Sequence, residues 1–380
     1  MLDYESLRVI WWLLLGALLI GFAVMDGFDL GAAILLPFIA RTDNERRIVL
    51  NTVGPVWEGN QVWLILGAGA IFAAWPTLYA IAFSGFYLAM FLALAALILR
   101  PVSFKFRSDV DDPRWRAFWD YAFFTSGAVP ALIFGVAVGN ALRGVPFRLD
   151  DALRMTYEGG LPGLLNPFAL LCGLVSCAML IMHGAVYLAL KADEPVAARA
   201  GAWGRGAALA LLVLFIICGI YAAMGVEGYT ITSKLAHDGP SNPLLKTVTR
   251  APGALLSNYK AYPWMLAAPV SVFVGAALTS FLLRGGRRAG LAWITSAVAV
   301  AGVIATAGFS AFPFLLPSSI EPNASLTVWD SSSSQKTLLI MLIATIVFLP
   351  VVLIYTSFVY RVLRGRVTSA YVEKNSPELY

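Results

Sequence analysis

The chain has 380 residues, of which 59% are hydrophobic and 13% are charged, and its mean hydropathy is +0.77. These values exceed those of an ordinary soluble domain and predict an integral membrane protein. The formal net charge of +5 comes from 27 Lys and Arg that are spread among short connections, so we expect no nucleic-acid partner.

The first hydrophobic run begins at Val9, after the acidic residues Asp3 and Glu5, and shows no small-residue cleavage site. We therefore expect it to stay in the membrane. Apolar stretches long enough to cross a core of about 30 Å occur nine times along the chain. The predicted spans are at about residues 9–37, 53–75, 78–99, 118–140, 165–190, 203–225, 262–284, 291–313 and 338–361.

The connections predict the orientation and the domain organisation. The first, third, fifth and seventh connections and the C-terminal tail, counted with the adjacent span ends, hold 18 Lys and Arg, against 9 elsewhere. The positive-inside rule then places the N-terminus outside and the C-terminus in the cytoplasm. Because there is no internal repeat or soluble segment, the predicted fold is all-α: a single polytopic helical domain over residues 1–380, with long outer loops at about 226–261 and 314–337.

Two carboxylates interrupt the first span. Asp26 and Asp29 share a helix face at a spacing of three, and glycines on either side leave room for a close neighbour, water or a helix break. Asp26 lies roughly 21 Å beyond the tryptophans at the outer end, which places it past the midplane toward the cytoplasm. A membrane charge costs on the order of 3 kcal/mol, so we expect these acids to face the protein interior.

A second polar group enters from the same side at the start of the second span. Glu58 and Gln61 share a face there, and Trp57 and Trp63 flank them as supporting residues. Arg100, at the cytoplasmic end of the third span, is the predicted counter-charge for one of the acids. Buried carboxylates can exchange protons, whereas Arg holds a neighbour ionised. Asp26, Asp29 and Glu58 therefore form either a cytoplasmic proton path or a purely structural ion-pair network.

The remaining candidate ligands indicate no metal centre on this chain. His183 is the only His inside a span, and His237 is in an outer loop. A lone membrane His is more often a hydrogen-bonded interior group than a haem or metal ligand. Cys172, Cys177 and Cys218 lie in apolar runs, where they are expected to pack as small hydrophobes without a disulfide framework.

Several longer motifs resemble subunit II of the cytochrome bd type quinol oxidase, and the resemblance extends over essentially the whole chain. The motifs are Asp26–Gly31, Trp57–Trp63, Phe72–Pro76, Phe83–Tyr87, Arg100–Val102 and Asn323–Asp330.

This resemblance implies a respiratory complex in the bacterial inner membrane that oxidises quinol and reduces dioxygen to water without pumping protons. It implies that the two haems b, the haem d and the quinol-oxidising loop belong to a partner, subunit I. It allows for a bound quinone on this chain and a small single-span accessory subunit beside quinol and lipid. It also implies a proton route at the subunit interface through the acid of the Trp-acid-Gly-Asn motif. That acid is Glu58 here, where the family often has Asp.

The leading hypothesis is therefore a non-haem subunit of a quinol oxidase that is inactive alone, with Glu58, Asp29 and Asp26 on a proton path and Arg100 as their electrostatic partner. A proton-coupled secondary transporter is the alternative. It would need polar clusters or broken helices in both halves of the chain, and the second half has no equivalent cluster. A purely structural membrane partner is the third possibility.

Overall fold

The helices of the computed structural model follow the predicted spans in chain order. The structure describes residues 2–285 and 288–374. The α-helices are α1 Tyr4–Met25, α2 Gly27–Ile39, α3 Asp43–Val53, α4 Trp57–Ala74, α5 Pro76–Gly85, α6 Tyr87–Phe106, α7 Pro113–Arg143, α8 Leu161–Leu164, α9 Pro167–Lys191, α10 Val196–Met224, α11 Ser257–Ala261, α12 Ala267–Leu282, α13 Ala289–Ala311, α14 Gln335–Val362 and α15 Ser369–Lys374.

Three short antiparallel hairpins lie in the connections. They pair β1 Phe147–Leu149 with β2 Met155–Tyr157, β3 Glu227–Ile231 with β4 Val248–Pro252, and β5 Phe314–Leu316 with β6 Leu326–Thr327. The two long loops predicted from sequence contain the second and third of these hairpins. The segment around β5 and β6 is mostly buried, so it packs as part of the protein interior.

Eight helical segments of residues 2–285 and 288–374 are long and apolar enough to cross a membrane. The first comprises α1 and α2 together, Tyr4–Ile39. The predicted span 53–75 is occupied by α4, which is not among the eight because polar residues fill its first turns. The predicted span 78–99 corresponds to α5 and the first part of α6, separated at Phe86. The all-α polytopic fold class is confirmed.

The first span is interrupted at Asp26, a single residue between α1 and α2. Its backbone still donates to the carbonyl of Phe22 at 2.9 Å and accepts from Leu30 at 3.1 Å, so the two helices stay nearly continuous. Beyond the interruption α2 crosses α9 closely, because a Cβ on Gly31 would collide with the carbonyl oxygen of Leu180. Glycine therefore permits the approach that buries the acidic face of α2.

Buried apolar side chains fill the bundle in three main groups. One lies around α2 and α3, one around the start of α1 and the hairpins, and one between α1, α9, α10, α12 and α13. Representative members are Phe28, Leu36 and Val49 in the first, Leu7, Trp75 and Phe147 in the second, and Leu30, Met182 and Val300 in the third. The acids of the first span thus sit inside a packed interior.

Candidate functional site

Asp26 and Arg100 form an ion pair inside the bundle. Asp26 is the residue between α1 and α2, and Arg100 lies on α6. Both side chains are fully buried, and Arg100 Nη1 lies 2.6 Å from Asp26 Oδ1. Because an unpaired charge is costly in a dry interior, each residue makes the burial of the other tolerable. Arg100 is therefore the counter-charge of Asp26.

Asp29 is fully buried on α2 and has neutral partners in place of a cation. Asn60 Nδ2 of α4 donates a 2.8 Å hydrogen bond to Asp29 Oδ2. Tyr360 Oη of α14 donates a 2.8 Å hydrogen bond to Asn60 Oδ1. Asn60 is buried and Tyr360 is half-buried. A continuous hydrogen-bonded chain thus leads from the Asp29 carboxylate to a hydroxyl nearer the protein surface.

The charges of this cluster do not balance when all three groups are ionised. Asp26, Asp29 and Arg100 then carry a net charge of −1 with no exposed surface. Asp26 Oδ2, Asp29 Oδ1 and two Arg100 nitrogens have no hydrogen-bond partner among the residues that the structure describes. A low-dielectric interior disfavours an uncompensated charge. Because Arg100 is hydrogen-bonded to Asp26, Asp29 is the carboxyl of the cluster that has no hydrogen bond to a cation among the described residues.

Glu58 lies apart from these buried acids. It is in the first turn of α4 with an exposed side chain, while Gln61 is half-buried. Asn60, and not Gln61, makes the contact with Asp29, because successive residues of a helix point about 100° apart. The structure thus brings Asp26, Asp29 and Arg100 together and places Glu58 at the surface of the same end of α4.

Trp57 and Trp63 support the start of α4 by packing. Trp63 is buried against α1, where a Cβ on Gly21 would lie 2.6 Å from the indole ring. Trp57 is half-buried, with its ring centroid 6.1 Å from that of Phe104 on α6. These contacts fix α4 against α1 and α6, which carry Asp26 at the end of one and Arg100 within the other.

His183 is a hydrogen-bonded interior residue. It is fully buried on α9, with Nδ1 2.8 Å from Ser296 Oγ and Nε2 3.0 Å from the carbonyl oxygen of Val24. Its ring stacks on Trp293 with centroids 4.3 Å apart. Both ring nitrogens are therefore already engaged within the bundle.

A second polar cluster, which sequence analysis did not identify, surrounds Arg8 in the second turn of α1. The buried guanidinium donates from Nε to Ser332 Oγ at 2.8 Å, from Nη1 to the His237 carbonyl at 2.5 Å and from Nη2 to the Gly239 carbonyl at 2.9 Å. Its Cζ also lies 3.7 Å from the centroid of the Tyr4 ring. The signal in the sequence is a charged residue at the edge of an apolar run, but its hydrogen-bond partners lie more than 200 residues away.

A buried ion pair also holds the loop before α14. Lys246 Nζ lies 2.8 Å from Asp330 Oδ2, and it donates to the carbonyl of Ser325 at 2.6 Å. Burial lowers the pKa of Lys246, and the negative charge of Asp330 opposes this effect. Asp330 ends the motif Asn323–Asp330, whose polar residues therefore fix one loop to another.

Metal ligands do not cluster among the side chains of residues 2–285 and 288–374. No group of three or more His, Cys, Asp or Glu side chains there could hold a metal ion. His183 is engaged as described, and His237 stacks on Trp329 at 4.1 Å and lies 2.8 Å from Glu5 Oε1. Both ring nitrogens of His183 are thus occupied by hydrogen bonds, which leaves neither free for a haem iron.

Comparison with known proteins gives a consistent family match. The model of the family described as "Cytochrome bd terminal oxidase subunit II" matches residues 7–363. The chain is 48% identical to "Cytochrome bd-I ubiquinol oxidase subunit 2" of Escherichia coli and 46% identical to "Probable cytochrome oxidase subunit 2" of Haemophilus influenzae. Both alignments extend over 380 residues and cover 100% of each chain.

A solved structure has the same fold. The chain matches a chain of the bd oxidase from Geobacillus thermodenitrificans with a TM-score of 0.70 and 20% sequence identity. The match covers 94% of this chain and 98% of that chain. At this identity the likeness concerns the fold alone.

Proposed function

The chain belongs to the family of cytochrome bd terminal oxidase subunit II, and from this membership we propose that its buried acid cluster delivers protons for the reduction of dioxygen. The protein is a multi-pass membrane protein and a subunit of a quinol oxidase complex, in which a subunit I is its partner. We place the complex in the bacterial cytoplasmic membrane. Each dioxygen reduced to water consumes four electrons and four protons, so a proton supply is essential to the reaction.

In this proposal the haems b and d and the quinol-oxidising site belong to subunit I. Two observations support this assignment of the haems to subunit I. Both ring nitrogens of His183 are hydrogen-bonded, and His237 lies at the surface. This chain then has two tasks, which are to support the haem-bearing subunit and to conduct protons from the cytoplasm. It has no oxidase activity alone. A quinone or a small accessory subunit on this chain is compatible with the proposal but is not needed for it.

The single observation that carries the proton role is the uncompensated negative charge of the Asp26, Asp29 and Arg100 cluster. Arg100 is hydrogen-bonded to Asp26, and in this proposal a proton supplied from the cytoplasm compensates the charge of Asp29. The Asn60 amide donates to Asp29 and the Tyr360 hydroxyl donates to Asn60, and neither group adds charge. A buried carboxyl in such a site can bind and release a proton as its surroundings change.

Glu58 is the proposed entry residue. Its exposed side chain at the beginning of α4 can take a proton from water or from a neighbouring subunit, and it lies two residues from Asn60. Replacement of a carboxyl by an amide at this position should slow proton entry, whereas Glu58→Asp should preserve it. We infer that Glu58 and Asp29 act in sequence, with Glu58 nearer the cytoplasm.

The decisive experiment compares Asp29→Asn with wild type in the assembled oxidase. We expect quinol-driven oxygen consumption to fall by on the order of tenfold, because the amide cannot carry the proton. Proton uptake in a single turnover, followed with a pH indicator, should slow by the same factor. Tyr360→Phe tests the hydrogen-bonded chain and should lower the rate about fivefold, and Tyr355→Phe on the exposed face of α14 is its matched control.

Glu227→Gln, an exposed acid on β3, should leave the rate unchanged. Haem content and chromatographic size of the complex show whether each variant assembles. If Asp29→Asn and Glu58→Gln assemble normally and retain full proton uptake, the cluster is structural and the proton role is wrong.

A further inference from the structure

Two of the three cysteines face each other across neighbouring membrane helices. Cys172 of α9 and Cys218 of α10 are free thiols, and their Sγ atoms lie 3.6 Å apart. Cys177, also on α9, is a free thiol that lines a different, apolar groove between the same two helices. The chain therefore contains one close thiol pair and one separate thiol that serves as an internal reference.

The pair lies at the open end of a helical hairpin. α9 and α10 are joined by the short connection between Lys191 and Val196, whereas Cys172 and Cys218 are near the ends remote from it. Cys172 is buried against α7, where a Cβ on Gly139 would lie 3.1 Å from its Sγ. Cys218 is half-buried. The pair thus has one shielded sulfur and one that reagents within the bilayer can approach.

We propose that Cys172 and Cys218 form a dithiol that closes to an intramolecular disulfide and links α9 to α10 at the open end of their hairpin. A disulfide bond is about 2.05 Å long, so the two sulfurs must approach each other by roughly 1.5 Å. Rotation of the Cys218 side chain and a small displacement of α10 supply this movement, because much of the surface of α10 is exposed to its surroundings.

The oxidant is a disulfide-bearing molecule that reaches the membrane interior. The Cys218 thiolate attacks one sulfur of this oxidant, which forms a mixed disulfide and releases one thiol. The Cys172 thiolate then attacks the Cys218 sulfur, which forms the Cys172–Cys218 bond and releases the second thiol. The chain loses two protons and two electrons, and the oxidant is reduced to two thiols. The predicted orientation places this end of the hairpin on the outer side of the membrane, where disulfides persist.

The test uses the complete purified oxidase, first reduced and freed of reductant. The complex is treated with dithiodipyridine, a small apolar aromatic disulfide, and is then denatured in N-ethylmaleimide, which blocks the remaining thiols before they can exchange. After denaturation, trypsin cleaves between the two cysteines at Lys191, Arg199 and Arg205. We expect a peptide pair that is joined through Cys172 and Cys218 and that reductant separates. Its mass is the sum of the two peptides less two hydrogens, plus the maleimide or pyridylthio group on Cys177, which lies on the same tryptic peptide as Cys172.

Cys177→Ala should leave this crosslink unchanged, and Cys172→Ala should leave Cys218 as the mixed disulfide. Haem absorbance and chromatographic size verify that each variant complex is folded. The proposal is overturned if the folded wild-type complex yields only alkylated or mixed-disulfide forms of Cys172 and Cys218. The crosslink is detected without measuring proton uptake. The dithiol proposal can therefore fail while the proposed role of Asp29 holds, and the reverse is also possible.

Discussion

The ion pair between Asp26 and Arg100 has no exposed surface, so the two charges depend on each other. Removal of one partner leaves an isolated charge in the bundle, whereas removal of both leaves a neutral site of similar volume. A single substitution at this pair should therefore destabilise the fold more than a double substitution does. Comparing the single variant with the double variant shows how much of the loss in stability comes from the unpaired charge and how much from the altered side-chain shape.

Arg100→Leu alone should destabilise the assembled complex by about 3–5 kcal/mol, because Asp26 then stays buried without a cation. The double variant Asp26→Asn with Arg100→Leu should recover most of this loss. The measurement is the thermal inactivation midpoint of the purified complex, with haem content as the measure of assembly. A double variant no more stable than Arg100→Leu would show that the pair does not act through charge.

At this site the sequence indicates a contact that depends on opposite charge. It does not indicate a contact that depends on which face of a helix points inward. Arg100 could be assigned to an acid because a membrane arginine needs a counter-charge. The spacing of Glu58 and Gln61 predicts Gln61 as an inward-facing residue, whereas Asn60 makes the contact. The apolar residues of α4 are spread around the helix, so they do not indicate which of its faces is buried. Tyr360 lies 300 residues from Asn60, and no local pattern connects them.

At the scale of elements, the crossing of α2 and α9 holds the acidic face in place. Gly31 of α2 and Gly184 of α9 meet there, and a Cβ on either residue would collide with the backbone of the other helix. The atoms nearest to each glycine belong to the backbone of the other helix, so no side chain can move aside to make room for a methyl group. The position of Asp29 relative to α4 therefore depends on this contact.

Gly31→Ala should destabilise the complex by on the order of 1–3 kcal/mol and reduce its yield, because the two helices must separate to admit the methyl group. Gly16→Ala in α1 is the control, since a Cβ there would meet nothing within 4 Å. Yield and thermal midpoint of the haem-loaded complex are the measurements. Equal behaviour of the two variants would contradict the proposed close packing.

The short helix α3 is held by a pH-dependent cap. Burial works to raise the pKa of Glu45, but hydrogen bonds from Arg199 and from the backbone N–H groups of Arg41 and Thr42 lower it below its usual value. A lowered folded-state pKa gives stability that is present above the unfolded pKa, about 4.3, and is lost as the pH falls through the folded value. α3 is therefore expected to loosen in acid.

Glu45→Gln should cost about 1 kcal/mol near neutral pH, because the charge-assisted bond from Arg199 at 2.6 Å is lost. The difference from wild type should shrink below about pH 4, where the wild-type carboxyl becomes protonated. Hydrogen exchange of the α3 amides as a function of pH measures both effects. A difference that stays constant across this pH range would exclude the ionised carboxylate as the cause.

For the whole molecule, the orientation in the membrane is still a prediction. An odd number of crossings places the termini on opposite sides, and this outcome requires that α4 crosses despite its polar beginning. A fluorescent protein fused to the C-terminus should fold and fluoresce, whereas alkaline phosphatase at the same position should be inactive. The reverse pattern would contradict the distribution of Lys and Arg from which the orientation was predicted.

The path of the chain through the bundle was largely predictable, because hydropathy alone locates helices of this length. What hydropathy could not provide is the way the connections fold. The Arg8 cluster and the Lys246–Asp330 pair join segments that are far apart in sequence. Such contacts form only when the tertiary structure brings distant segments together. No period or spacing in a single sequence predicts them.

The helix α14 is fastened to α4 at both of its ends. Just before it begins, Ser333 donates from its backbone to the Ala74 carbonyl at 2.8 Å, and near its end Tyr360 reaches Asn60. Between these points α14 is a helix of about 38 Å that contains Pro350 and presents most of its sides to the exterior. It connects the loops around Arg8 with the hydroxyl that contacts Asn60. A substitution that displaces those loops is therefore expected to change the hydrogen bond between Tyr360 and Asn60 as well, so the Arg8 cluster and the Asp29 cluster are linked through one helix.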